Sequence, residues 1–162
     1  MRGASISALA AASLLATMAR GTDHKTSPRA IAVIVGPSSV VESVTRDTLR
    51  EVYLRRQRLW PDGTQAVPVN LPPSHPARED FSRLVLGRST RDLVAYWNGR
   101  YFAGITPPQV LPSPAAIRRF LTVEPGAIAY LPLADVDSRC RTLLVLDPEM
   151  EGQGAARKTP EE

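Results

Sequence analysis

The stretch VPVNLPPSHPAREDF, residues 67–81, decides the fold. Val67, Val69 and Leu71 alternate as strand residues do, and Pro72-Pro73 stops the strand. Ser74 or His75 then stands at a helix N-cap, with Pro76 in the first turn, where its missing N–H costs nothing. A strand that passes through a short loop into a helix is the unit of an α/β sheet. The N–H groups left free at such a helix start can hold an anion, and Arg78 lies close enough to add a charged donor. The plain alternative is an ordinary helix start, because Glu79 and Asp80 already complement the positive end of the dipole and would repel an anion. The candidate ligand-binding residues are Asn70, Ser74, His75 and Arg78.

Upstream of this unit, AIAVIV (30–35) is a continuous apolar run, the pattern of a strand buried on both faces as in a parallel sheet. Gly36-Pro37-Ser38-Ser39 breaks it. Thr45 caps a helix that carries Leu49, Val52 and Tyr53 on one face and runs to about Arg55. Trp60-Pro61-Asp62-Gly63 has the residues of a tight turn, with Trp60 expected to pack on the domain. Downstream, the helix from Pro76 continues to Leu86, with Phe81, Leu84 and Val85 inward, and Gly87 ends it. Ser89 and Asp92 have capping-box spacing. The helix after them bears Leu93, Val94, Trp97 and Tyr101 and stops near Gly104. The aromatic cluster Tyr96, Trp97, Tyr101 and Phe102 is expected in the core. A short strand is expected at Gln109–Leu111, a helix from Ser113-Pro114 burying Ile117, Phe120 and Leu121, and strands at Ala127–Leu131 and Thr142–Leu146. This alternation predicts an α/β fold with a mainly parallel sheet and helices on both faces.

The 162 residues suffice for one domain with a real core, and a formal net charge of +4 is modest. Basic residues are scattered apart from Arg55-Arg56-Gln57-Arg58 and Arg118-Arg119, and no basic stripe interleaved with aromatics is present, so no nucleic acid is expected as a partner. Cys140 is the only cysteine, which excludes an internal disulfide. His24 and His75 are the only histidines, too few for a histidine-rich metal site. No metal or cofactor is expected. Catalysis is not expected either. Ser74 and His75 are sequence neighbours, which is not a nucleophile–base arrangement, and Glu79 and Asp80 diverge on a helix. His75 and Glu79, four apart, form half of a metal site at most. Residues 1–19 read as a signal peptide: Arg2, an apolar run from Ile6 to Ala19, and small residues for cleavage after Ala19. An uncleaved anchor is the alternative. Residues 20–29 then form a linker, 30–146 the domain and 147–162 a disordered tail. The protein is therefore expected to be periplasmic or otherwise exported.

The order of these pieces resembles the type II periplasmic solute-binding proteins, in particular the phosphate-binding proteins of ABC transporters. The resemblance rests on AIAVIVGPSS (30–39), TRDTLREVYLRRQRLWPDG (45–63), VPVNLPPSHPAREDF (67–81), AYWNGRYFAG (95–104) and PGAIAYLP (125–132). It implies a single three-layer lobe of the type II fold, equivalent to one half of a two-lobed clamp, with a small oxyanion such as phosphate as ligand. It also implies a transporter permease, a sensor protein or a second copy of the chain as partner. By the same resemblance Ser74 matches the Ser of an anion-binding loop, Asn70 stands where phosphate-binding members carry an Arg, and His75 and Pro76 replace a Gly and a Thr. Two readings follow: a solute-binding-type protein that meets an oxyanion weakly, and a single-lobe interaction or sensor module that has lost ligand binding.

Overall fold

The strand β1 (Ile31–Val35) is an inner strand of a five-stranded sheet, between β4 (Ala127–Pro132) and the edge strand β5 (Arg141–Leu146). Beyond β4 come β2 (Val67–Asn70) and the two-residue edge strand β3 (Gln109–Val110), giving the order β3-β2-β4-β1-β5. The computed structural model describes residues 26–150. The expected signal peptide lies outside the described residues, as does the tail beyond Met150.

The β2 strand pairs in parallel with both β3 and β4, and β1 runs antiparallel to both β4 and β5. Four strands therefore point one way and β1 the other, so the sheet is mostly parallel and flanked by helices. One expectation changes: β1 is buried at every position, as its apolar run requires, yet it is the strand that opposes the rest. A continuous apolar run reports burial of both faces and carries no information on direction.

The helices form where their caps and apolar faces coincide. In α1 (Arg46–Tyr53) the Thr45 hydroxyl accepts the Thr48 N–H at 3.1 Å, and Leu49, Val52 and Tyr53 are buried. In α4 (Pro114–Val123) Ser113 caps Ala116 at 3.2 Å, and Ile117 and Leu121 are fully buried. The helix expected from Pro76 to Leu86 is α-helical only over α2 (Pro76–Phe81) and widens to π geometry over Ser82–Leu86. There the Ser82 hydroxyl bonds back to the Arg78 carbonyl at 2.8 Å, a bond known to loosen a helical turn. The capping box of α3 (Thr90–Tyr101) is present, with Ser89 and Asp92 bonding reciprocally. Its aromatic residues correct the expectation of a core cluster. Only Leu93 of this helix is buried, Tyr96 and Trp97 are half-buried, and Tyr101 and Phe102 are 68% and 92% exposed.

The Trp60–Gly63 turn closes as expected, with Gly63 at a φ of +86°. Trp60 is buried and its indole N–H donates to the Gly126 carbonyl at 2.9 Å. A Cβ on Gly126 would stand 2.1 Å from the Gln65 carbonyl oxygen, so glycine alone allows the two backbones to meet here. The folded body also reaches past the expected 30–146 limits. The Ser27 N–H donates to the carboxylate of buried Asp147 at 3.0 Å, and Arg29 forms an ion pair with Asp80.

Candidate functional site

At the carboxyl end of β2 the chain turns through Leu71–His75 into α2, and beneath this turn lies an aromatic and polar cluster. Phe81 of α2 stacks on Tyr130 of β4 with ring centroids 3.8 Å apart, and Tyr53 of α1 tilts against Phe81 at 4.6 Å. All three are essentially inaccessible to solvent. The two tyrosine hydroxyls need partners at that depth. The β2–β4 ladder ends at Val67 and Pro68. Just past it, the Tyr53 hydroxyl points at the carbonyls of Val69 and Ile128, at 3.0 and 3.2 Å. It thus takes up backbone acceptors that the short ladder leaves open. The Tyr130 hydroxyl donates to Asn70 Oδ1 at 3.1 Å.

Each sequence-predicted residue has a definite place around this cluster. Asn70 is buried and serves as acceptor for Tyr130. Arg78, one turn into α2, is half-buried and donates to the Leu71 carbonyl at 3.0 Å, so its guanidinium holds the loop down. It also lies beside the Tyr130 hydroxyl. His75 is the N-cap: its Nδ1 accepts the Ala77 N–H at 3.2 Å, and its carbonyl accepts the Arg78 N–H at 2.9 Å. The His75 N–H in turn reaches the Pro72 carbonyl at 3.0 Å, and Pro76 has none to give. Ser74 is exposed at the tip of the turn, and neither its hydroxyl nor its N–H meets a partner among the described residues. Three of the four residues therefore spend their polar groups inside the protein, and Ser74 alone is open.

The two carboxylates that follow are each engaged by partners within the protein. Asp80 is buried against Arg29, whose guanidinium binds both of its oxygens. Glu79 accepts the Thr90 N–H and hydroxyl at 2.9 and 2.6 Å and the Arg83 guanidinium at 2.7 Å. The Thr90 bonds, then Arg83, hold its carboxyl below the usual range. Burial pushes the Tyr130 phenol up to about 12, with Arg78 opposing the shift. The Tyr53 phenol is raised as well, by burial and then by Tyr130. Among the described residues no three His, Cys, Asp or Glu side chains gather closely enough to hold a metal ion. Sequence reasoning missed Tyr53 and Tyr130, which read as ordinary apolar positions of a helix and a strand. The tyrosine of PGAIAYLP was the available signal, since a buried phenol must find an acceptor.

The sequence matches no protein-family model, and no curated protein matches it. Among solved structures the chain is similar to an ABC-type phosphate transport receptor from Vibrio cholerae, with a TM-score of 0.56 and 17% identity over 70% of this chain and 44% of that one. It is also similar to a phosphate ABC transporter substrate-binding protein from Clostridium perfringens solved with bound phosphate, with a TM-score of 0.57 and 18% identity over 70% of this chain and 43% of that one. The chain spans less than half the length of either protein. At these identities the likeness establishes the fold, that of a single periplasmic-binding-protein-like lobe.

Proposed function

We propose that this chain is an exported, non-enzymatic, solute-binding-type lobe that meets a small oxyanion such as phosphate weakly at the Leu71–Arg78 turn. The observation that carries the reading is Ser74. Its hydroxyl and N–H are the open donors of a turn at the carboxyl end of a parallel strand, where ligands of α/β sheets sit, and Arg78 lies one turn away. One similar structure holds phosphate, which agrees with this ligand class. Two free donors and one half-buried guanidinium on an open surface support a dissociation constant near 1 mM, equivalent to about −4 kcal/mol. Ser74→Asp places a carboxylate at the anion position and should abolish binding. NMR titration of wild type and variant with phosphate tests this. No shift in residues 71–78 at tens of millimolar phosphate, on the order of ten times that constant, sinks the oxyanion reading.

The second reading is an interaction or sensor module, and a specific observation favours it: Asn70 Oδ1, His75 Nδ1 and one Arg78 N–H are bonded within the protein, which ties the loop down without a ligand. Under that reading the partner is a permease, a sensor protein or a second copy, and phosphate leaves the loop unmoved. Export is proposed from Arg2, the apolar run to Ala19 and the small residues at its end. Mass spectrometry of the chain produced in its natural host should show a mature species starting at Arg20.

A further inference from the structure

Between residues 26 and 150 every basic side chain apart from His75 is an arginine. Three of them converge on one ring. The guanidinium carbons of Arg88 and Arg100 lie 5.6 and 5.8 Å from the Tyr96 ring centroid, within cation–π range. The Arg56 guanidinium lies beside the hydroxyl of the same tyrosine. That hydroxyl donates to the Leu54 carbonyl at 2.9 Å, which pins the ring to the end of α1. Like charges gathered on one ring repel one another, and exposed cation–π contacts offset only part of that cost. Arg56 has a carboxylate, Glu51 at 3.1 Å. Arg88 and Arg100 have no ion pair among the described residues, and Arg100 Nε is a buried donor without an acceptor.

We propose that this face, Arg56, Arg88 and Arg100 around Tyr96, docks an acidic segment of a partner protein. Guanidinium forks bind carboxylates in pairs of parallel hydrogen bonds, and tyrosine and arginine are the residues that anchor protein interfaces. Trp97, half-buried and edge-on to Tyr96 at 4.8 Å, supplies an apolar neighbour. A shallow groove of about 410 Å3 between Arg83 and Arg88, closed by Ser89 and Asp92, has room for a side chain. Glu51, Glu79 and Asp92 border the face. A continuous phosphate backbone would be driven across these carboxylates, whereas the separate carboxylates of a peptide can pass between them.

The proposal is independent of the Ser74 loop, and its test leaves that loop unchanged. Fluorescein-labelled hexaglutamate is titrated into the mature chain at low salt and read by anisotropy. Arg88→Gln with Arg100→Gln should weaken binding about tenfold. Arg50→Gln with Arg119→Gln removes the same charge from exposed sites elsewhere and should weaken it less than about threefold. Arg88→Lys with Arg100→Lys keeps the charge but loses the fork, should fall between these values, and replaces the glutamine pair if that pair melts early. No binding of hexaglutamate, equal loss in the matched control, or tighter binding of hexathymidylate would each overturn the proposal.

Discussion

Tyr130 is the residue on which the loop, the sheet and α2 converge. Its hydroxyl satisfies Asn70 and its ring stacks on Phe81. Tyr130→Phe keeps the stack and strands the Asn70 carbonyl, so it should cost about 2 kcal/mol in urea unfolding. Adding Asn70→Leu should recover part of that loss, because both ends of the bond are then apolar. The same hydroxyl makes stability depend on high pH. The folded phenol is held at about 12 against an ordinary value of 10.0. Below pH 10 both states are protonated and the contribution is complete; above 10 the unfolded chain loses its proton first, and stability falls until pH 12. The loss over this window is on the order of a few kcal/mol. Tyr130→Phe should remove that share of the decline, measured as urea midpoints at stepped pH; an unchanged profile would exclude the mechanism. His75 offers a parallel lesson. Its Nδ1 is an acceptor in the helix cap, so it cannot also donate to an anion from that nitrogen.

The elements separate into those that local chemistry specifies and those that it does not. Thr45, Ser89 and Ser113 cap the helices their sequences announce, and the turn at Trp60–Gly63 closes as its residues require. Direction and depth are different matters. Nothing within AIAVIV distinguishes a strand parallel to its neighbours from one opposed to them, since the neighbours arrive more than ninety positions later. The aromatics of α3 suggest a core, but the helix buries only Leu93, leaves Tyr96 and Trp97 half-buried against the core and turns Tyr101 and Phe102 outward. Phe102→Ser should therefore change stability by less than about 0.5 kcal/mol, whereas Phe81→Ala should cost about 3–5 kcal/mol. Equal effects in thermal unfolding would contradict this assignment of inside and outside. Gly126 answers to a distant part of the chain: its missing Cβ admits the Gln65 backbone. Gly126→Ala should cost about 3 kcal/mol and shift Trp60 fluorescence to the red as the indole loses its carbonyl partner. Asn70, His75 and Arg78 were found at the right end of β2, but contacts such as Tyr130 to Asn70 and Arg29 to Asp80 join distant parts of the chain, and no local pattern encodes them.

At the scale of the whole molecule, the start of the described residues is tied to later parts of the chain, Ser27 to Asp147 and Arg29 to Asp80. Limited proteolysis should trim the chain to about residues 26–150; a stable fragment from cleavage near Gly87 or Gly104 would show that the unit divides. The placement of β1 has a consequence for biosynthesis. It is made before the other described strands of the sheet, and the two strands that flank it, β4 and β5, are made after β2 and β3. Until β4 is made, β1 has no strand beside it, and non-local closure of this kind is slow. β1 therefore gains both of its neighbours only once residue 146 has emerged. Ribosome-stalled chains ending before Arg141 should be digested throughout by protease, while chains extended past the tail should resist.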